Sequence, residues 1–495
     1  MDVLGHLAQG FSVVLTPTNL LFCLLGVLLG QAIGALPGIG PSAGIAILMP
    51  LTFGGDPIAA TIMFAGIYYG AQYGGTITSV LVSVPGESST VMTSLDGYQM
   101  ARKGRAGAAL GMAAIGSFVA GTLGTVGLML AAPALAQAAL LFGPPEYFAL
   151  VVMGLAALAI VSGSVLKGLL TGVAGLLLAT IGIDPQVGST RFTFGQVWLL
   201  DGIEFLVLAV AMFGVGEVLA SVSQEIPAPI TTSIRNVWPT REDFRACRLP
   251  ILRGSLIGYL VGVLPGAGAT IASFVTYAVE RKLSRHPERF GTGTIEAVAA
   301  PEAANNGASA GAMVPMFALG IPGSGTTAVM LGALIMFGLR PGPQLFQQHP
   351  DFVWGIIASM YIGNVLLLIL NLPLAPIFAV LLRVPYAILY PVILAFCIVG
   401  VYSQSNSLDD LWLMAGFGLL GFFMKRYDFP AAPMILGLVL EPLFENALRQ
   451  SLTLSHGSVA IFLTRPISAV LLAATALVVL TPLAVRLVRP ERAAA

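Results

Sequence analysis

Charge is what this sequence has least of. Only 9% of its 495 residues are Asp, Glu, Lys or Arg, while 57% are hydrophobic and the mean hydropathy is +0.90. A soluble domain carries roughly 25% charged residues, so a water-soluble fold is excluded. Basic and acidic residues both number 23, and a net charge of zero offers no field to hold nucleic acid. Cysteine is scarce as well. Cys23, Cys247 and Cys397 are far apart and two lie in apolar runs, which argues against a disulfide framework and against a metal site. The four histidines, His6, His286, His349 and His456, fall near termini or in polar loops. The string GIPGSGTT at 320–327 lacks the lysine and the preceding strand of a phosphate loop. No ATPase motif is present, so any work done by such a chain must draw on a source other than its own nucleotide hydrolysis. The first residues, MDVLGHLAQGFSVVL, have no basic n-region and no clear cleavage site, so the first span is expected to be an uncleaved anchor.

Long apolar runs are what the sequence has instead. Residues 20–33, 106–136, 148–162, 165–183, 205–222, 356–372 and 467–485 approach or exceed the roughly 20 residues of a membrane span. The expected fold is an all-α polytopic membrane protein with about 10–14 transmembrane or half-spanning helices. The few charges are bunched. Arg102, Lys103 and Arg105, the segment 235–253, Arg281, Lys282, Arg285 and Arg289, Lys425 and Arg426, and Arg486, Arg489 and Arg492 mark cytoplasmic loops under the positive-inside rule.

The stretch 68–105 breaks this apolar pattern in the middle. Val84-Pro85-Gly86 removes a backbone donor and admits a bend, and Ser88, Ser89 and Thr90 are placed to cap a restarting helix. The expectation is helix, break, helix. In lipid every freed N–H and C=O needs a partner, so such a break is tolerated only inside protein or along a cavity.

The chain also repeats itself. Gly30-Gln-Ala-Ile-Gly34-Ala-Leu36-Pro37-Gly38-Ile-Gly40 matches Gly258-Tyr-Leu-Val-Gly262-Val-Leu264-Pro265-Gly266-Ala-Gly268. Tyr69-Gly70-Ala71 through Gly74 matches Asn306-Gly307-Ala308 through Gly311, and residues 84–90 match 321–327. The second copy is longer between its breaks, and the extra residues are expected in the polar piece 281–293. We expect a first repeat over 1–225, a Pro-rich connector over 226–250 with a short helix starting at Thr240, and a second repeat over 251–495. Paired halves with interrupted hydrophobic segments point to a secondary transporter with its site at the repeat interface. Inversion is the commoner arrangement, but two basic segments that could share a side leave inverted and parallel repeats both open.

Each break can aim helix N-terminal N–H groups at one spot, so an anion can be held without a buried cation. The candidate substrate contacts are Gly38, Gly40 and Ser42; Gly86, Ser88, Ser89 and Thr90; Gly266, Gly268 and Thr270; and Gly323, Ser324, Thr326 and Thr327. The same glycines and hydroxyls also suit tight helix packing. Asn305 and Asn306 are amides in an apolar segment, able to bind a coupling cation such as sodium or to serve as satisfied structural groups. Glu87 follows Pro-Gly directly, where it gains from a helix N-terminus and can relay a proton or bind a cation. Asp96 and Glu302 are similar buried acids, whereas Asp201, Glu204 and Glu217 mark a membrane boundary and Lys167 a short loop between spans. Gly307-Ala-Ser309-Ala-Gly311 fits a hydrolase elbow, but that chemistry needs a preceding strand and a His partner. An intramembrane hydrolase is therefore the unlikely reading, and no enzyme is expected.

GALPGIGPSAGIAILMPLTF at 34–53, the stretch 68–110 beginning YYGAQYGGTITSVLVSVPGESS, and EAANNGASAGAMVPMFALGIPGSGTTAVMLGALIMFGLRPGP at 302–343 resemble the large membrane subunit of the tripartite tricarboxylate transporters, the TctA family. The resemblance covers nearly the whole chain. It implies a bacterial inner-membrane symporter that works with a small four-span subunit and a periplasmic solute-binding protein. The import of a di- or tricarboxylate such as citrate would be coupled to sodium or protons. No cofactor is implied beyond a coupling ion. A carboxylate carrier without a binding protein and a passive channel are the alternatives within the membrane class.

Overall fold

The computed structural model describes residues 3–36, 39–161, 164–184, 186–222, 237–266, 268–372 and 386–488. Among these, the one strand pair joins Gly182–Ile183 to Thr190–Arg191, and the rest of the regular structure is helical. Four helices are long and apolar enough to cross a membrane, and eight shorter apolar helices stand beside them. The protein is an all-α polytopic membrane protein.

Ten helices carry the argument. They are α1 (Pro17–Gly34), α2 (Pro41–Leu48), α3 (Pro57–Leu81), α4 (Val91–Arg102), α5 (Ala106–Ala139), α6 (Arg241–Val263), α7 (Gly268–Leu283), α8 (Glu296–Leu319), α9 (Gly325–Met336) and α10 (Pro350–Asn371). Proline opens α1, α2, α3 and α10, where its missing N–H costs nothing. Asp56 caps α3 by accepting from the N–H groups of Ile58 and Ala59. The chain leaves helical form between α1 and α2, α3 and α4, α6 and α7, and α8 and α9, the four expected places.

Glycine sets the packing. A Cβ on Gly26, Gly30 or Gly34 would sit 2.5, 2.7 and 2.1 Å from backbone atoms of Met63, Ile67 and Ala71, so α1 lies backbone to backbone along α3. In the second copy a Cβ on Gly254, Gly258 or Gly262 would sit 2.4, 2.2 and 2.3 Å from the carbonyl oxygens of Ala300, Ala304 and Ala308, so α6 lies along α8 in the same way. Each pair runs parallel, with small residues permitting the approach.

The two copies run in opposite directions. Tyr68, midway along α3, places its hydroxyl 3.0 Å from Ser324 Oγ beyond the end of α8. Thr76, late in α3, donates to Glu302 Oε2 near the start of α8 at 2.7 Å. Helices α3 and α8 are therefore antiparallel and the matched segments are inverted. This also accounts for the shared basic face. The end of α4 lies at the loop before α8, where Lys103 Nζ donates to Thr292 O at 2.6 Å, so 102–105 and 281–289 fall on one side.

Several local expectations change. The helix at Thr240 is not short: Thr240 and Asp243 form a reciprocal capping box, and α6 continues through Pro250 to Val263. The extra residues of the second copy are not all loop, because α7 has 16 residues where α2 has 8. Ser88–Thr90 form a 3-10 turn with no side-chain cap, since its hydroxyls bond inward instead. Lys167 lies in the first turn of the helix Val165–Ala179, where Nζ donates to Tyr427 O and sits over the Phe429 ring. Glu217 is paired with Lys425.

A leucine at Gly258 has no room against Ala304. We expect Gly258→Leu to cost about 1–3 kcal/mol or more of overpacking, read as a lower melting temperature and a smaller monodisperse fraction in detergent.

Candidate substrate site

The four breaks meet. A Cβ on Gly40 would lie 3.8 Å from Glu87 Cγ, and one on Gly268 would lie 3.5 Å from Ser324 Cβ, so in each copy the first break touches the second. Across the copies, Ser42 Oγ is 3.0 Å from Thr326 Oγ1 and Ser88 Oγ is 2.9 Å from Thr270 Oγ1. These contacts are equivalent under the inverted repeat to within one residue. Helices α2, α7 and α9 start at this cluster, and the Ser88–Thr90 turn leads into α4. Their free N–H groups and positive dipole ends converge there. No Lys or Arg among the described residues hydrogen-bonds to a member. Ser89, Thr90, Ser324, Thr326 and Thr327 are buried; Ser42, Glu87 and Thr270 are half-buried and Ser88 is exposed, so the cluster has an open side.

Not every candidate is part of it. Gly86 packs on Gly34 O and Gly75, Gly323 on Ala312 and Gly262 O, and Gly266, with φ +78°, on the backbone of Ala157 and Leu158. These three serve packing. Gly38 lies outside the described residues. Ser324 and Thr327 form a capping box on α9.

Asn305 and Asn306 sit on α8 in a neighbouring buried polar group. Glu302 accepts from Thr76, Thr93 and Asn305 Nδ2, and Asn306 Nδ2 donates to Asn305 Oδ1 at 2.7 Å. Among the described residues no group of three or more His, Cys, Asp or Glu converges to hold a metal ion. Ser309 Oγ donates to Asn305 O one turn back, an ordinary helical bond. Asp96 has a structural task. It accepts from the N–H groups of Gly291, Gly293 and Thr294 at 2.8 Å and from Tyr277 OH at 2.9 Å, fastening the loop before α8 to α4.

The breaks draw attention away from α3, which carries two further members. Tyr68 meets Ser324, and Gln72 Oε1 accepts from Ser89 Oγ at 2.5 Å. Tyr68, Gln72, Thr76 and Ser79 recur at spacings of 4, 4 and 3 on a fully buried helix. That polar stripe is a signal the sequence does carry.

The profile of the tripartite tricarboxylate transporter TctA family matches residues 20–436, a span that contains all four breaks. The chain belongs to the TctA family. It is 49% identical over 475 residues, 96% of this chain and 95% of the other, to a protein described as "Uncharacterized 52.8 kDa protein in TAR-I ttuC' 3'region" from Agrobacterium vitis. A second protein from the same organism, "Uncharacterized protein in TAR-II ttuC' 3'region", is 46% identical over 215 residues, 43% of this chain and 89% of the other. No solved structure matches. A TctA protein is the large subunit of a tripartite transporter, so this chain is a transporter component with partner subunits.

Replacing Asp96 by Ala leaves three backbone N–H groups without their acceptor. In detergent solution Asp96→Ala is expected to make the bond after Arg289 several-fold more sensitive to trypsin; equal digestion of both proteins would contradict the fastening role.

Proposed function

We propose that this TctA protein imports a di- or tricarboxylate, such as citrate, across the bacterial inner membrane by cation symport with alternating access. It works with a small four-span subunit and receives substrate from a periplasmic binding protein. The observation that carries the reading is the convergence of four helix breaks from two inverted copies on one cluster of hydroxyls. Carboxylate oxygens are to be met by N–H groups of α2, α4, α7 and α9 and by Ser42, Ser88, Ser89, Thr90, Thr270, Ser324, Thr326 and Thr327. The fixed dipoles replace a buried Arg or Lys. A multiply charged anion is costly to bring into low dielectric, and a cation bound nearby, at Glu87 or at Asn305 and Asn306, offsets that cost. The repeats are read as 1–225 and 251–495, and the 226–250 segment between them contributes the first turns of α6 from Arg241.

Uptake of radiolabelled citrate into proteoliposomes holding this chain and its small partner, with binding protein outside, tests the reading. Accumulation is expected only with the binding protein and an inward sodium or proton gradient. Accumulation without the protein would make this a self-sufficient carrier, and flux independent of any gradient would make it a channel. Hydrogen bonds to charged groups contribute about 1.5–3 kcal/mol each. The double variant Ser88→Ala, Thr326→Ala is therefore expected to lower uptake about 10-fold or more at unchanged protein level. Wild-type uptake by that variant would remove these hydroxyls from the site.

A further inference from the structure

The hydroxyl of Ser89 faces more acceptors than it has protons. Ser89 Oγ lies 2.5 Å from Gln72 Oε1 and 3.0 Å from Glu87 Oε2. A hydroxyl has one proton to give, and here it stands between two acceptors. If Ser89 donates to Gln72, the second contact is a hydrogen bond only when Glu87 carries a proton and donates to Ser89. The chain then reads Glu87 to Ser89 to Gln72. It leaves Gln72 Nε2 over, a fully buried nitrogen that lies toward Glu87 without reaching hydrogen-bonding geometry with any partner. A buried amide N–H without an acceptor costs about 1–3 kcal/mol, so it is a donor held ready.

We propose that Gln72 and Glu87 form a proton-gated donor for one carboxylate of the substrate, with the proton as the coupling ion. The proposal rests on the functional reading above. With Glu87 ionised, its carboxylate draws in the Ser89 proton and the Gln72 amide, uses up both donors and repels an incoming anion. When a proton from the outer medium binds Glu87, the Ser89 proton turns back to Gln72 Oε1 and Nε2 is released to the substrate carboxylate. Release of substrate inside lets Glu87 return its proton to the inner medium, so one proton crosses per cycle through this residue.

The surroundings favour this task. The titratable groups facing Glu87 are Tyr68 on α3 and Glu302 on α8. Glu302 is already held by three donors. The residues that α2, α7 and α9 bring to the cluster are glycines and hydroxyls, with no charged side chain among them. Glu87 itself is half-buried next to exposed Ser88, on the open side of the site.

The test uses the reconstituted complex with citrate and a pH-reporting dye inside the vesicles. Citrate uptake driven by an inward proton gradient, with acidification of the lumen, is expected from wild type. Gln72→Leu should raise the KM for citrate at least 10-fold while the proton-to-citrate ratio stays unchanged, which a merely structural role would not produce. Glu87→Gln holds the neutral form; it should show citrate counterflow that no longer changes between mildly acid and mildly alkaline medium, and no acidification. Uptake that follows sodium without acidification, or a Glu87→Gln variant with the wild-type proton ratio, overturns the proposal while leaving citrate import standing. No citrate uptake by wild type under either gradient overturns the functional reading and this inference with it.

Discussion

Backbone that leaves helical form inside a membrane must find its hydrogen bonds in protein, and the rest of this structure answers that requirement. Four breaks with no partners would be four separate liabilities. Brought together between two copies, they share one polar environment, with Ser42 against Thr326 and Ser88 against Thr270. Carrying the breaks to one place requires helices that approach closely, which is the work of Gly26, Gly30 and Gly34 in one copy and Gly254, Gly258 and Gly262 in the other. The meeting of the breaks and the packing of the chain thus have one common cause.

Much of this was legible in the sequence because it is written in residues with few conformational alternatives. Proline and glycine mark the breaks, and long apolar runs mark the helices. The match of 30–40 with 258–268 announces the repeat. Inversion was not legible. It follows from which end of α3 meets which end of α8, and the Tyr68–Ser324 and Thr76–Glu302 contacts join residues more than 200 positions apart. The basic segments even pointed the other way, because 102–105 follows a second break whereas 281–289 follows a first.

The site was legible in part. The hydroxyls at the breaks were found by their neighbours Pro and Gly, but Gly86, Gly266 and Gly323 carry the same marks and are spent on packing. Whether a glycine admits a ligand or another backbone depends on what lies opposite, which no local pattern states. Gln72 was passed over for the opposite reason. It stands in an unbroken helix, and only its alignment with Tyr68, Thr76 and Ser79 and its contact with Ser89 give it meaning. Asn305 and Asn306 allow two readings in one dimension, ligand or satisfied amide, and the bond between them appears only in three.

The backbone contact of α1 with α3, and of α6 with α8, has one more implication. With no side chains between them to change rotamer, each pair has a single way to fit and behaves as a solid block. Between the blocks the contacts include side-chain bonds, as where Thr76 of α3 donates to Glu302 of α8. Side chains can exchange partners where packed backbone cannot, so any rearrangement of this fold is expected between the blocks and not inside them.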